Sequence, residues 1–308
     1  MGKWSNQTTG TDFVLLGLFQ NIQASNLIFS LLFVVFLVAV VDNIMMIILI
    51  WVDTRLHTPM YFLLSQLSIM DLLNSSTIVP KLATDFLSGK NTISFINCGI
   101  QLFIFTTLFS AECVFLAVMA YDRYVAICHP LRYSVLMRPT VCVSMVAGTW
   151  LGALLNALFH VTYTLSLPYC ASRKIQHFFC EIPALLKLVC ADTSLYENAI
   201  YFSGFLFLLI PLSAIMASYG QIIFSVLRLI SNLGMQKALA TCSSHMIVVS
   251  LFYGAAITMY FIPQPYHTAE LDKVISVFYT IFTPMVNPII YSLRNKDVAG
   301  ALRKVLGR

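Results

Sequence analysis

Residues 98–121 read CGIQLFIFTTLFSAECVFLAVMAY and are followed at once by the charged pair Asp122-Arg123. A helix needs roughly 20 residues to cross the hydrocarbon layer of a bilayer, and this stretch exceeds that length. Glu112 is its single acidic residue, and it contains no Lys or Arg. The stretch therefore predicts a membrane-spanning helix that ends at a pair of charges.

Six more apolar stretches of similar length lie on either side of this one. They cover residues 27–51, 59–80, 141–165, 198–227, 241–262 and 274–293. Only 10% of the 308 residues are charged and 59% are apolar, whereas soluble proteins average about 25% charged residues. We predict an all-α membrane protein with a seven-transmembrane helix bundle, forming one domain over residues 1–308. The bundle takes up residues 26–293 and the N-terminal segment residues 1–25.

Basic residues predict which side of the membrane each loop occupies. Of the 18 Lys and Arg residues, eleven lie on the side of Arg123 and the C terminus, and seven lie on the other side. Because cytoplasmic loops are richer in Lys and Arg, we predict a cytoplasmic C terminus and an extracellular N terminus. The sequon at Asn6 would then be glycosylated outside. Four cysteines lie on the predicted outer side, where disulfides persist: Cys98, Cys170, Cys180 and Cys190. Four cysteines can pair in three ways, and the sequence leaves all three open.

Three acidic residues fall inside the predicted spans: Asp42, Asp71 and Glu112. A charge at the bilayer centre costs at least about 2.5 kcal/mol, so such residues are functional candidates. Asp71 and Glu112 both lie mid-span, and we predict that together they hold a sodium ion or share a proton. The alternative is that each carboxyl is neutral and hydrogen-bonded. For Asp42 we expect a partnered, structural role.

Several classes of function lack support in the sequence. HExxH, GxSxG and a glycine-rich phosphate loop are missing, so we expect no enzyme and no organic cofactor. The net charge of +5 is modest and its basic residues are scattered, which disfavours nucleic-acid binding. His160 and His245 are more typical of packing residues than of metal ligands. A channel lacks a selectivity loop. A transporter that uses Asp42, Asp71 and Glu112 as a relay is the alternative from another class.

Five motifs carry a resemblance to a known family. Residues 119–128, MAYDRYVAIC, resemble the signature of vertebrate olfactory receptors, a branch of the rhodopsin-like G-protein-coupled receptors. Residues 59–63 (PMYFL), 237–245 (KALATCSSH), 284–291 (PMVNPIIY) and 292–295 (SLRN) agree, so the resemblance covers residues 8–305. The four outer cysteines resemble the tetrapod-type, class II branch. Asp42-Asn43 stands where the family usually has Gly-Asn.

The resemblance implies an odorant receptor in the plasma membrane of olfactory sensory cilia. It would bind small volatile odorants and activate a stimulatory heterotrimeric G protein, with an olfactory or ubiquitous α subunit, to raise cyclic AMP. It would form disulfides Cys98–Cys180 and Cys170–Cys190. Residues 294–308 would form an amphipathic helix on membrane lipid at the inner leaflet. Four residues would form the G-protein switch: Asp122, Arg123, Tyr219 and Tyr291. Four would form a polar mid-membrane centre: Asn43, Asp71, Glu112 and Asn287.

An odorant offers few polar atoms, so its site should be an apolar, aromatic cavity with one or two hydroxyls. We place it in the outer half of the bundle, between the third, fifth and sixth helices. The alternative is that the aromatic residues there only pack the helices together. The predicted lining is Phe105, Thr106, Phe109, Ser110, Phe179, Ser203, Phe207, Tyr253, Ala256 and Tyr260, with the hydroxyls of Thr106, Ser203 and Tyr260 as the sharpest candidates.

Overall fold

Seven long helices make up most of the chain, and each is long and apolar enough to cross a membrane. The computed structural model describes residues 12–18, 25–170, 172–227, 232–261, 268–294, 298, 300 and 301. The helices are α1 (Ser25–Val52), α2 (Pro59–Ser88), α3 (Phe95–Cys128), α4 (Pro139–Ser166), α5 (Ser194–Leu227), α6 (Asn232–Phe261) and α7, which comprises Ala269–Val277, Phe278–Phe282 and Thr283–Arg294. The predicted seven-helix membrane bundle is confirmed.

The helix ends follow local sequence signals. Helix α2 starts with Pro59 in its first turn, where the missing N–H is not needed. It ends at Gly89, whose φ of 65° suits glycine. The predicted span stopped at residue 80, but α2 continues to Ser88, and Lys81 pairs there with Asp85 one turn later. Apolar runs mark the part of a helix that lies in lipid, so they underestimate its full length.

Helices α5 and α7 each contain one turn of π-helix. The π turn Phe205–Leu209 lies just before Pro211, which has no N–H to donate to the preceding turn. In α7 the π turn Phe278–Phe282 lies just before Pro284. The sequence predicts bends at the prolines inside the fifth and seventh spans, Pro211 and Pro288, but Pro288 lies inside the regular segment Thr283–Arg294. The irregular turn of α7 therefore goes with Pro284 instead.

A small sheet covers one end of the bundle. Strand β1 (Phe13–Leu15) pairs antiparallel with β2 (Thr92–Ile93) and parallel with β3 (Lys174–Ile175). The disulfide Cys98–Cys180 joins α3 to the loop that carries β3, and Cys170–Cys190 closes that loop on itself. These are the pairs that the family resemblance implies. We call this end the disulfide end, and the opposite one, which holds Asp122 and Arg123, the arginine end.

Helix α3 lies at the centre of the bundle. In its most apolar stretch 67% of the residues are buried within the protein, against 17% for α5, so α5 lies at the edge. Short helical segments connect the long helices at both ends: Thr54–Leu56, Pro130–Arg132, Tyr133–Leu136 and Ile182–Leu186.

Two sequence predictions fall outside the described residues. Asn6, the predicted glycosylation site, is one of them. Most of the predicted amphipathic helix at 294–308 is the other, although Val298 and Ala301 are described and are buried against the core.

Candidate ligand-binding site

A cavity of about 80 Å³ lies between α3, α4, α5 and α6 toward the disulfide end. Most of its wall is apolar or aromatic. Seven residues that the sequence predicted line it: Phe105, Thr106, Phe109, Ser110, Ser203, Phe207 and Tyr260.

The remaining three predicted residues lie near the cavity without lining it. Phe179 is fully buried and packs edge-on against Phe105, with ring centroids 5.0 Å apart. The Tyr253 hydroxyl donates a hydrogen bond to the Cys113 carbonyl at 2.8 Å, which turns this ring into the α3–α6 interface. Ala256 is buried in the same interface cluster.

Helix α4 supplies a polar wall to this cavity. The Asn156 side-chain amide donates to Ser110 Oγ at 3.0 Å. His160 Nε2 lies 2.9 Å from Ser203 Oγ, and its Nδ1 lies 3.2 Å from the Tyr196 hydroxyl. Tyr196 in turn lies 2.7 Å from Thr164 Oγ1. We call Thr164, Tyr196, His160 and Ser203 the α4–α5 hydroxyl chain.

The predicted mid-membrane centre forms around Asp71. Asn287 Nδ2 donates to Asp71 Oδ2 at 3.0 Å, and Asn43 Nδ2 donates to the Pro284 carbonyl at 2.8 Å. Glu112 is buried, and its carboxyl lies close enough to Asp71 for their charges to interact. We call these four residues, Asn43, Asp71, Glu112 and Asn287, the carboxylate core.

Several oxygens of this region are buried without a hydrogen-bond partner among the described residues: Asn43 Oδ1, Asn74 Oδ1, Glu112 Oε1 and Asn287 Oδ1. Oxygen acceptors left unpaired away from water fit a hard cation such as sodium. No group of three His, Cys, Asp or Glu side chains clusters in a way that could hold a metal in the described part of the chain. Any cation here would therefore depend on the amide oxygens as well. The Asp42 side chain is half-buried and has no hydrogen-bond partner within the described ranges, so the partnered role that we expected for it is not seen there.

At the arginine end, Tyr133 donates a hydrogen bond of 2.7 Å to Asp122 Oδ1. Burial and this carboxylate raise the pKa of Tyr133. Among the described residues Asp122 and Arg123 form no ion pair, because the carboxylate is turned to Tyr133. The Tyr219 hydroxyl lies 2.6 Å from His245 Nδ1, while the buried Tyr291 hydroxyl has no partner in the same part of the chain.

At the disulfide end, a buried cluster ties the loop after Cys180 to α7. Tyr279 donates to Glu181 Oε2 at 3.3 Å, and Lys187 Nζ lies 3.5 Å from Asp272 Oδ2. Burial raises the pKa of Glu181 to about 8 and lowers the pKa of His177 to about 3. The 3.4 Å contact between His177 and Glu181 therefore joins two neutral groups at pH 7.

Comparison with known proteins gives a consistent result over the whole chain. Residues 32–308 match the family model described as olfactory receptor. This chain belongs to the olfactory receptor family. It is 55% identical to human (Homo sapiens) olfactory receptor 2T27 over 304 residues, covering 99% of this chain and 96% of that protein. Human olfactory receptor 2T11 is 56% identical over 298 residues, or 97% and 94% of the two chains. Mouse (Mus musculus) olfactory receptor 2V1 is 52% identical over 308 residues, or 100% and 98%.

The olfactory receptor is a multi-pass membrane protein that responds to odorants and couples to a G protein, and it is not an enzyme. Sequence reasoning missed the part of its cavity wall that α4 supplies, Asn156 and His160. Their i, i+4 spacing puts both on one face of an otherwise apolar helix, and that signal could have found them. It also missed six further residues of the lining: Ile182, Ile200, Tyr201, Gly204, Leu208 and Phe261.

Proposed function

We propose that the receptor binds small volatile odorants in the cavity between α3, α4, α5 and α6. The observation that carries this proposal is the cavity itself, which is lined mainly by aromatic and aliphatic side chains with several hydroxyls among them. Such a surface suits a ligand with a large apolar part and one or two polar atoms. Phe105 and Phe109 contact each other along α3 with tilted rings whose centroids are 6.0 Å apart, and the Tyr260 ring centroid lies 5.2 Å from that of Phe109.

The receptor activates a stimulatory heterotrimeric G protein at its arginine end and so raises cyclic AMP. In support, α3 carries both the cavity residues Phe105 and Phe109 and, further along, Arg123. Tyr219, Tyr291 and His245 all lie within electrostatic reach of Arg123. A shift of α3 or α6 caused by ligand binding would therefore change the surroundings of this arginine directly.

The receptor lies in the plasma membrane of olfactory cilia with its N terminus and disulfide end outside. Two observations support this orientation. Both disulfides lie at one end of the bundle, and disulfides persist outside the cytosol. The opposite end carries the larger share of Lys and Arg, as cytoplasmic loops do. Asn6 would be glycosylated on the disulfide side.

The carboxylate core holds a sodium ion or a shared proton. Asp71 and Glu112 would supply carboxylate oxygens, and Asn43 and Asn287 amide oxygens. Both amide oxygens and one oxygen of Glu112 have no partner in the described residues. A bound sodium ion, or a shared proton, would offset one of the two carboxylate charges, and the ion would also satisfy these unpaired oxygens. Asn287 already holds the Asp71 carboxylate in place, because its Nδ2 donates to both carboxylate oxygens.

An odorant panel read out by cyclic AMP in transfected cells tests the site. We expect Ser203→Ala and Tyr260→Phe to weaken responses to oxygen- or sulfur-bearing odorants roughly tenfold, about 1.4 kcal/mol. Ser213→Ala is the matched control, because Ser213 lies on the same helix but is exposed and bonds only the Leu209 carbonyl. Equal potency of all three variants across a chemically mixed panel would show that odorants bind elsewhere.

Coupling is tested by Arg123→Ala. We expect this receptor to reach the surface and bind odorant while cyclic AMP no longer rises, since Arg123 lies far from the cavity at the other end of α3. Surface labelling of the intact cells gives the expression control. A normal cyclic AMP response would mean that Arg123 serves only to set topology.

A further inference from the structure

The α4–α5 hydroxyl chain reaches the odorant cavity through Ser203 and ends deep between α4 and α5. Thr164 is fully buried and His160 is 2% exposed. The Tyr196 hydroxyl lies 2.7 Å from Thr164 Oγ1, 2.9 Å from the His160 carbonyl and 3.2 Å from His160 Nδ1. His160 Nε2 then lies 2.9 Å from Ser203 Oγ. The direction in which each hydroxyl donates decides what Ser203 presents to a ligand.

The proton positions follow from the partners of each group. The Thr164 hydroxyl has Tyr196 as its hydrogen-bond partner, so Thr164 donates to the Tyr196 oxygen. The Tyr196 hydroxyl donates its hydrogen bond to the closer acceptor, the His160 carbonyl at 2.9 Å. The Tyr196 oxygen then accepts from His160 Nδ1–H. A buried imidazole surrounded by hydroxyls stays neutral, so with Nδ1 protonated its Nε2 is an acceptor.

The consequence lies at Ser203. Because Nε2 accepts, the Ser203 hydroxyl donates its single proton to His160 at 2.9 Å rather than to its other acceptor, the Ile200 carbonyl at 3.2 Å. What Ser203 has left for the cavity is a lone pair. We propose that His160 fixes Ser203 as a hydrogen-bond acceptor, so that the receptor prefers odorants that donate a hydrogen bond, alcohols and phenols, over ketones and ethers of the same skeleton.

The other hydroxyls of the cavity fit this preference. Thr106 lines the cavity and forms no hydrogen bond within the described residues, so it is free to donate. An alcohol can accept from Thr106 and donate to Ser203, whereas a ketone can only accept. A bound ketone therefore leaves the Ser203 lone pair buried and unpaired, which costs binding free energy. This inference rests on the proposed function, namely that odorants occupy this cavity.

The experiment compares matched alcohol, ketone and methyl ether trios of three to ten carbons, including cyclohexanol, cyclohexanone and methoxycyclohexane. Potency is measured by cyclic AMP in cells with equal surface expression. In the wild-type receptor we expect the alcohols to be fivefold to tenfold more potent than their partners. In Ser203→Ala the alcohols should lose more potency than the ketones, so that this advantage disappears.

His160→Phe separates the positioning role from direct contact. Without Nε2, only the Ile200 carbonyl at 3.2 Å competes for the Ser203 proton, which can then turn to a ligand carbonyl, so the ketones should gain potency and the preference should weaken. His160→Gln can place a carbonyl oxygen near Ser203 and should keep the preference; it also serves if His160→Phe fails to reach the surface. The lipid-facing Ser213→Ala is the control and should leave the preference unchanged.

The outcomes separate the two proposals. If Ser203→Ala changes odorant potency but alcohols and ketones are equally potent in the wild-type receptor, the inference is overturned and the cavity stands. An active panel made up only of ketones and ethers overturns it too. If odorants activate the receptor and neither Ser203→Ala nor Tyr260→Phe alters any potency, the cavity proposal itself fails.

Discussion

The α4–α5 hydroxyl chain and the carboxylate core are both buried polar clusters, but they satisfy their atoms differently. In the hydroxyl chain, the single hydroxyl of Tyr196 contacts Thr164 Oγ1, the His160 carbonyl and the His160 ring. In the carboxylate core, Asn43, Glu112 and Asn287 each keep an oxygen without a partner among the described residues. A saturated cluster holds its side chains in one arrangement, whereas an unsaturated one leaves acceptors open for an ion or a proton. The first suits a fixed recognition surface and the second a site whose charge state changes.

The largest expected effect breaks the saturated cluster. Tyr196→Phe leaves the buried Thr164 hydroxyl and His160 Nδ1 without their partner, so we expect a loss of about 1–3 kcal/mol in stability. Thermal unfolding of the purified receptor in detergent measures this. Tyr201→Phe is the control, because its ring is 57% exposed on the same helix. Equal melting temperatures for the two variants would mean that the hydroxyl chain does not stabilise the bundle.

The second prediction concerns the unsaturated cluster. If the carboxylate core holds sodium, replacing potassium by sodium should raise the melting temperature. The free energy of unfolding should increase by about 1.4 kcal/mol when the sodium concentration is ten times the dissociation constant. Glu112→Gln and Asp71→Asn should remove that response without altering which odorants are chosen. An unchanged sodium response in both variants, at normal surface expression, would rule this site out. If the wild-type receptor does not respond to sodium, a proton shared by Asp71 and Glu112 is the remaining interpretation of the carboxylate core.

A third prediction uses the loop cluster at the disulfide end, where Glu181 is paired but kept from ionising. Its folded pKa of about 8 exceeds the ordinary 4.5, so the folded state holds the extra proton and stability falls as pH rises through this range. His177, with a folded pKa of about 3 against 6.5, acts in the opposite sense, because its contribution is lost as pH falls below 6.5. The two oppose each other below pH 6.5, and Glu181 acts alone above it.

We therefore expect the melting temperature to fall between pH 6.5 and pH 8 in the wild-type receptor. Glu181→Gln should flatten this fall, and His177→Asn should leave it in place. A series of unfolding curves in buffers of constant ionic strength gives the measurement. The same slope in wild type and Glu181→Gln would assign the pH dependence to another group.

The smallest effect is expected at Asn74, one turn after Asp71 on α2. Its Oδ1 is already without a partner among the described residues, so Asn74→Leu breaks no hydrogen bond of that atom. We expect a change within about 0.5 kcal/mol, or a slight stabilisation. Thr164→Val, which removes a saturated hydroxyl of similar size, should cost more. A larger loss in Asn74→Leu than in Thr164→Val would contradict the contrast between unpaired and paired buried polar groups.

The pattern of apolar residues predicts both much of the fold and the α3 face of the cavity. Membrane spans are long apolar runs, and a buried central helix shows its lining as a regular stripe, as Phe105 and Phe109 do. Helix α4 is harder, because lipid and protein surround it with equally apolar groups. Whether His160 faces inward depends on how Ala153 and Ala157, both fully buried, allow close packing against its neighbours.

The strands could not be predicted from sequence for another reason. They are two or three residues long, too short to show an alternating pattern. Their pairing joins segments far apart in the chain, which local propensity does not record. The placement of Tyr253 likewise depends on a hydrogen bond to a backbone carbonyl on another helix, Cys113, and not on its position in the α6 pattern.

Strand β1 also sets an order for the making of this receptor. The partners of Val14, which are Thr92 and Lys174, follow it by 78 and 160 residues. A chain synthesised from its N terminus must therefore insert α1 through α4 before β3 exists, and β1 waits until then without its full sheet. During that interval its backbone groups on the β3 side lack a strand partner, as at any unpaired strand edge. The complete sheet can therefore form only after the first four helices have been synthesised and inserted.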